Sequence, residues 1–146
     1  MMARIQKSIR EKDAGFTLIE LLVVMIIIGV LAAIAVPVFL SQRAKAVDTG
    51  TKSDVSVVGK EIAAYYVDGV DALDVTVANG NYTITQGTGT SAVILTSGPV
   101  SSGTVVDKSS VVSSTNWCVS FSNPKGTAGN NIWRYSVAGL AKGTCP

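Results

Sequence analysis

The chain has 146 residues, of which 47% are hydrophobic and 15% are charged, and its formal net charge is +2. That length suffices for one ordinary domain with a long additional helix. Residues 1–15 hold four basic and two acidic side chains, so the rest of the chain carries eight of each sign and no net charge. A protein-wide basic field for nucleic acid is therefore not supported, and the absence of histidine removes the usual general base and metal ligand.

The N-terminal part of the chain changes from charged to apolar within a few residues. Residues 1–15 are polar, whereas the twenty residues from Leu21 to Leu40 carry no charge. As an α-helix this run measures about 30 Å, the hydrocarbon thickness of a bilayer. The positive charges before it predict one membrane span, over 16–40, with a cytoplasmic N-terminus and an exported C-terminal part.

A helical pattern continues beyond the apolar run as an amphipathic stripe. Its apolar or tolerant residues recur at steps of three or four, the period of a helix with one buried face. One helix is therefore predicted from about Phe16 to about Val67, with its amphipathic part over 41–68. Gly50 and Gly59 should weaken it by about 1 kcal/mol each relative to alanine. The stripe comprises Val47, Thr51, Val55, Val58, Ile62 and Tyr65 or Tyr66.

Residues 69–146 have the pattern of strands separated by turns. Apolar and polar residues alternate on both sides of Asn79-Gly80, which predicts a hairpin because this dipeptide favours the positive φ of a tight turn. The Ser/Thr/Gly-rich stretch 86–116 is interpreted as connecting loops and short exposed strands. The expected fold class is α+β, with the amphipathic half of the helix covering one face of a small antiparallel sheet. Further β-like runs lie at 92–96, 103–107, 117–122 and 132–139.

The junction between the charged and apolar segments carries the most specific motif. It reads AGFTLIELLVVMIIIGVLAAIAVP and contains Gly15, Phe16, Glu20, Gly29 and Pro37. This segment resembles the N-terminus of type IV prepilins and of the pseudopilins of type II secretion. The resemblance implies that a prepilin peptidase removes residues 1–15 by cutting between Gly15 and Phe16, and that the new Phe16 amine is methylated.

Glu20 places a carboxylate inside the apolar helix, which costs about 2.5–3.5 kcal/mol on insertion scales. Intramembrane charges are normally paired, and the resemblance implies the partner. Glu20 of one subunit is expected to pair with the Phe16 amine of a neighbour and so to select the helix register in a filament. The alternative is that Glu20 extends to the water interface in the membrane-held monomer.

Two further positions of the motif concern helix packing. Gly29, with nearby alanines, would permit close approach of helices, or is merely tolerated in a membrane span. Pro37 predicts a kink, or a melted segment before it in a filament, unless it only marks the boundary between the spanning and exported halves.

The resemblance also implies a location, partners and a class of function. The chain is expected to be a structural subunit and not an enzyme, stored as a single-pass membrane protein and assembled into an extracellular filament. The expected partners are copies of itself, the prepilin peptidase, membrane lipid, an inner-membrane assembly platform and its assembly ATPase. No catalytic residue, metal set or cofactor is expected.

Within the family, the C-terminal region favours a structural pilin over a pseudopilin or a minor or competence pilin. Cys118 and Cys145 form an isolated pair, which in an exported domain indicates a disulfide, the alternative being two buried free thiols. A disulfide that closes the C-terminal segment is a feature in which the chain resembles pilins more than pseudopilins. No acidic residue follows Asp107, whereas major pseudopilins often carry a calcium site of acidic loop residues near the C-terminus.

Other classes of protein fit the sequence less well. A signal-peptidase site at Ala33-Ile34-Ala35 would release a secreted binding module, but the apolar run is long and the helix pattern continues past Pro37. A membrane-tethered enzyme lacks a phosphate loop, paired carboxylates or a metal cluster. The aromatic residues of 117–135 are expected mainly in the core, with a sugar or receptor site as the alternative. A weak indication of nucleic-acid binding comes from Lys108, Lys125, Arg134 and Lys142.

Overall fold

The computed structural model describes residues 15–87, 91–127 and 131–146. Within these ranges, one helix precedes seven strands that form a single antiparallel sheet in the order β3-β2-β1-β4-β5-β6-β7. The predicted α+β class, a long helix followed by an antiparallel sheet, is confirmed. The elements are α1 (Leu18–Tyr65), β1 (Leu73–Ala78), β2 (Asn81–Gln86), β3 (Val93–Pro99), β4 (Val105–Ser113), β5 (Asn116–Ser122), β6 (Ile132–Ser136) and β7 (Gly139–Lys142).

The chain divides into two compact units, Met1–Phe39 and Leu40–Pro146. The second unit, called the head here, contains the C-terminal part of α1 and the whole sheet. The helix itself is continuous over 48 residues and includes Pro37, so the backbone is helical on both sides of the proline. It ends where the Gly69 N–H donates to the Tyr65 carbonyl at 2.8 Å.

The amphipathic stripe of α1 forms one wall of the head's core. Its buried residues are Thr51, Val55, Val58, Gly59 and Ile62, so the prediction from the three-and-four spacing is confirmed. The opposite wall comes from alternate positions of four strands, as expected for a sheet with one covered face. These strand residues are Leu73, Val75, Tyr82, Ile84, Val111, Trp117, Val119 and Phe121.

The hairpin predicted at Asn79-Gly80 joins β1 to β2. Asn79 has a φ of 53° and Gly80 a φ of 77°, and Ala78 pairs with Asn81 across the turn. Positive φ at both central positions is the geometry that matches the twist of the flanking strands. This local prediction is confirmed.

One interpretation of the β region was wrong, and a second was right only in part. The run 132–139 is two strands and not one, because the chain turns at Val137-Ala138 and Gly139 adopts a φ of 91°. The stretch 86–116 does hold an exposed strand, β3, as expected, but it also contains β4, a nine-residue strand that pairs with both β1 and β5 in the middle of the sheet. Serine residues give β4 the composition of a linker, and one of its two partners, β1, lies far away in sequence.

Gly59 allows α1 to approach β6 closely. A Cβ atom at this position would lie 2.6 Å from the Cβ of Tyr135 and closer still to two atoms of its ring. The Tyr135 ring in turn stacks on Trp117, with 6.0 Å between the ring centroids and 8° between the planes. The glycine that weakens the helix therefore makes room for an aromatic layer of the head.

Two carboxylates on α1 fix the loops at the end of the sheet. Asp54 accepts hydrogen bonds from the Ser101 N–H at 2.8 Å, the Ser101 hydroxyl at 3.2 Å and the Thr104 hydroxyl at 2.9 Å. Asp48 accepts one from the Thr127 N–H at 3.0 Å. The loop between β3 and β4 and the loop after β5 are thereby tied to the helix.

Candidate assembly site

The first part of α1 presents an apolar surface on all sides. Every large hydrophobic side chain from Phe16 to Phe39 is exposed, with exposed fractions between 46% for Val23 and 89% for Phe16. A soluble monomer rarely exposes a contiguous apolar patch larger than a few hundred Å², and larger patches mark membrane or protein contacts. This segment therefore requires lipid or other helices around it.

In the described part of the chain, α1 is the one helix long and apolar enough to cross a membrane. None of its most apolar eighteen-residue window is buried within the protein. A core helix of a soluble protein would pass the same test of length and composition, but its apolar side chains would be covered. Exposure on every side distinguishes this segment from a core helix.

The helix begins with a capping box formed by Thr17 and Glu20. The Thr17 N–H donates to Glu20 Oε2 at 2.9 Å, and the Thr17 hydroxyl donates to the same oxygen at 2.7 Å. In return, the Glu20 N–H donates to Thr17 Oγ1 at 3.3 Å. Two N–H groups at the helix start, which have no partner within the helix, are thus satisfied reciprocally.

This arrangement gives Glu20 a local role that the sequence analysis missed. Its carboxylate lies at the positive end of the helix dipole and accepts two hydrogen bonds, so part of the cost of the charge is offset within one chain. The signal was present as Thr-x-x-Glu directly before an apolar run. The alternative that Glu20 extends to the water interface in the membrane-held monomer stays a prediction.

Gly15 and Phe16 precede the helix. Both are exposed, and an added Cβ atom at Gly15 would meet no other atom within 4 Å. No described atom outside the neighbouring residues therefore crowds the position of an added side chain at Gly15. The remainder of the predicted leader, residues 1–14, lies outside the described residues, and cleavage with methylation at Phe16 stays a prediction.

The two packing positions of the motif are also exposed. Gly29 has no atom within 4 Å of an added Cβ, so the close approach of another helix would meet only backbone there. Pro37 lies within α1 and leaves it continuous in the single chain. The roles of Gly29 and Pro37 in a filament stay predictions.

The C-terminal tail is fastened across the sheet. A disulfide joins Cys118 of β5 to Cys145, with 5.8 Å between their Cα atoms. Nearby, the Thr144 hydroxyl donates to Asp107 at 2.6 Å, and Arg134 donates to the Thr144 carbonyl at 2.9 Å. Cys118 alternates with the core residues of β5, so the tail covers the sheet face opposite α1.

The aromatic and basic residues of the C-terminal segment mostly have internal partners. Trp117 and Phe121 belong to the core, and Trp133 and Tyr135 pack against it. The ammonium groups of Lys52 and Lys142 lie 5.1 and 5.4 Å from the centroid of the Trp133 ring, within the range of cation–π attraction. Lys108 donates to the Cys145 carbonyl at 3.5 Å, and Arg134 donates to the Thr144 carbonyl at 2.9 Å.

The residues described by the structure contain no group of three or more histidine, cysteine, aspartate or glutamate side chains that could hold a metal ion. Three acidic side chains of the head instead accept hydrogen bonds from backbone N–H or hydroxyl groups. Asp54, Asp48 and Asp107 each do so.

Comparison with known proteins identifies the N-terminal segment. Residues 10–36 match the family described as the prokaryotic N-terminal methylation motif. The type II secretion system core protein G of Pseudomonas aeruginosa is 39% identical over 59 residues, which are 40% of this chain and 42% of that protein. The type IV major pilin protein PilA of Myxococcus xanthus is 46% identical over 44 residues, which are 30% of this chain and 20% of that protein.

A third relative is the competence protein ComGC of Halalkalibacterium halodurans, 34% identical over 56 residues, or 38% of this chain and 55% of that protein. The matched region thus spans between a fifth and about half of the length of these relatives. No solved structure matches the chain significantly.

Proposed function

Since the chain carries the N-terminal segment of the type IV pilin and pseudopilin family, we propose that it is the precursor of a structural pilin, the repeating subunit of a type IV pilus-like filament. The observation that carries the proposal is the methylation motif over residues 10–36 at the start of a helix whose apolar surface is exposed on all sides. Such a helix is equally suited to lipid before assembly and to the helices of neighbouring subunits afterwards.

The proposed pathway has three stages. The precursor is held in the membrane by residues 16–40, with the basic leader in the cytoplasm. A prepilin peptidase cuts after Gly15 and methylates the Phe16 amine, which keeps its positive charge. An assembly platform with its ATPase then moves the subunit from the bilayer into an extracellular filament.

Glu20 sets the register of the helices in this proposal. Both hydrogen bonds that the Glu20 carboxylate accepts from Thr17 end on Oε2, and no described residue donates to Oε1. This second oxygen can accept a hydrogen bond from the Phe16 amine of a neighbouring subunit without breaking the hydrogen bonds of the capping box. An axial offset between neighbouring helices that leaves this oxygen unpaired in the apolar interior of the filament costs free energy. The ion pair therefore selects the helix register more than it adds to the total stability of the filament.

Three variants separate pairing from capping. Glu20→Gln retains a side-chain oxygen for the capping box but loses the charge, whereas Thr17→Ala removes the cap and keeps the carboxylate. Glu20→Gln should be inserted and cleaved normally but give few sheared surface filaments, and Glu20→Ala should behave likewise. Thr17→Ala should lose about 1 kcal/mol of helix stability and still assemble.

The measurement is the ratio of subunit in sheared filaments to total cellular subunit, with N-terminal sequencing of both fractions. Wild-type yields of filament from Glu20→Gln would refute the pairing. Filaments built from chains that begin at Met1 would refute the processing.

A second candidate is a pseudopilin of type II secretion, favoured by the 39% identity to core protein G. A deletion strain distinguishes the two. Loss of surface filaments with normal protein secretion supports the pilin, whereas loss of secreted enzymes with no effect on surface filaments supports the pseudopilin.

A further inference from the structure

A shallow groove in the head lies at the end of the uncharged run of α1. It has a volume of about 360 Å³ and combines apolar and basic lining. Along the helix its residues follow the spacing of a single face, and a loop residue closes the opposite side. The lining residues are Leu40, Arg43, Ala44, Val47 and Lys125.

The loop that supplies Lys125 is fixed on both sides of that residue. Asn123 is fully buried, donates to the Ser102 carbonyl at 3.1 Å and accepts from the Lys125 N–H at 3.1 Å. Two residues further on, the Thr127 N–H donates to Asp48 of the helix at 3.0 Å. The backbone of Lys125 is therefore held beside α1, in a loop that lines the same groove as Arg43.

The charge of the groove has one sign. Of its five described lining residues, two are cations, both exposed, and none is a carboxylate. Asp48, the nearest acidic residue along the helix, is engaged by the Thr127 backbone. Two like charges held together at an exposed site favour an anionic ligand.

The groove's place along α1 indicates which anion. Leu40 is the last residue of the uncharged run, and Arg43 follows after about 4.5 Å of helix. In a chain whose residues 16–40 span the bilayer, which rests on the function proposed above, this is the depth of the lipid headgroups. The apolar wall of Leu40, Ala44 and Val47 would face the glycerol and first methylene groups of a lipid.

We propose that this groove binds the headgroup phosphate of one anionic phospholipid while the subunit is stored in the membrane. The Arg43 guanidinium has the fork geometry that binds phosphate oxygens in pairs, and Lys125 adds a point charge. Basic pockets between membrane helices bind anionic lipid headgroups on the cytoplasmic side of membranes, and the same chemistry would act at this groove on the exported side. A carboxylate of a second copy would match the cations but not the apolar wall.

The test uses the full chain in nanodiscs made of phosphatidylcholine alone or of phosphatidylcholine with phosphatidylglycerol. The protein is released from the nanodiscs in the gas phase and its bound lipids are counted by native mass spectrometry. The readout is the ratio of lipid-bound to lipid-free protein. The variants are Arg43→Gln, Lys125→Gln and the double variant. Lys45→Gln is the matched control, because it removes the same charge two residues from Arg43 but does not line the groove.

The wild type should retain one phosphatidylglycerol and no phosphatidylcholine. Each groove variant should lower the bound ratio about fivefold and the double variant about 25-fold, the effect expected for one and two basic groups near an anionic headgroup. Lys45→Gln should change it less than twofold, and excess inorganic phosphate should not displace the lipid.

Several results would overturn the proposal. The first is a double variant that retains as much phosphatidylglycerol as the wild type. The second is a Lys45→Gln variant that loses as much bound lipid as the groove variants, and the third is displacement of the lipid by inorganic phosphate. Loss of filaments in the double variant with unchanged lipid retention would assign the groove to a neighbouring subunit instead. Incorporation into the nanodiscs is measured for every variant, since failure of the wild type to insert would refute the membrane span and not the groove alone.

Discussion

Replacing Gly59 with alanine tests the packing of α1 against the sheet. Helix propensity alone predicts a gain of about 1 kcal/mol, because glycine is the weaker helix former. The structure predicts the opposite sign. The new methyl group would lie 2.6 Å from the Cβ of Tyr135 and closer to its ring, which is too near for any unstrained arrangement.

The expected size follows from what would have to move. Forcing a methyl group into a packed core typically costs about 1–3 kcal/mol in strain. Displacing Tyr135 would also weaken its stacking on Trp117, a contact class worth about 0.5–1.5 kcal/mol. After subtraction of the helix gain, Gly59→Ala should lower the free energy of unfolding by about 1–3 kcal/mol.

The assay is urea unfolding of the full-length chain in detergent, followed by tryptophan fluorescence, since Trp117 lies under the affected ring. The matched background is Tyr135→Ala, which removes the side chain that the methyl group would meet. In that background Gly59→Ala should become stabilising by about 1 kcal/mol, as propensity requires. A stabilising effect of Gly59→Ala in the wild-type background, or the same effect in both backgrounds, would refute the reasoning.

Three further changes have defined outcomes. Cys118→Ser removes a disulfide between residues 27 apart in sequence and should lower the free energy of unfolding of the head by about 3 kcal/mol. The head should then be digested faster by a protease, while N-terminal processing stays unchanged. Equal protease resistance of variant and wild type would contradict this. Asp54→Ala removes the acceptor of three hydrogen bonds and should cost about 2 kcal/mol in urea unfolding, whereas the exposed Asp68→Ala should cost less than about 0.5 kcal/mol. Gly15→Val should leave the precursor at full mass, and a mass that matches a start at Phe16 would show that this glycine is dispensable.

The parts of the fold that could be predicted from sequence are those with local causes. The bounds of α1 follow from an uninterrupted helical pattern, and its buried face follows from the spacing of Thr51, Val55, Val58 and Ile62. The β1–β2 hairpin follows from one dipeptide whose backbone preference matches the turn. Each of these depends on residues within a few positions of one another.

The parts that could not be predicted lack a local sequence signal or depend on distant contacts. The Val137-Ala138 turn has no Asn, Asp or Gly at its centre, and only Gly139 indicated it. β4 looks like a polar linker because Ser109 and Ser110 are ordinary loop residues, yet its pairing with β1 and β5 makes it central. Likewise, nothing in the sequence indicates that Asp107 holds Thr144.

The capping box changes the physical account of Glu20. A fully unpaired carboxylate in the apolar helix would oppose storage in the membrane as strongly as it opposes a wrong stagger in the filament. Two bonds from Thr17 to Oε2 would reduce this cost in the stored subunit, because they are made within one chain and need no neighbour. In the proposed filament the other oxygen, Oε1, would still distinguish one helix stagger from another, so Thr17 would moderate the penalty that Glu20 imposes. On this proposal, Thr17→Ala should lower the amount of precursor held in the membrane while leaving the helix register of any filament unchanged.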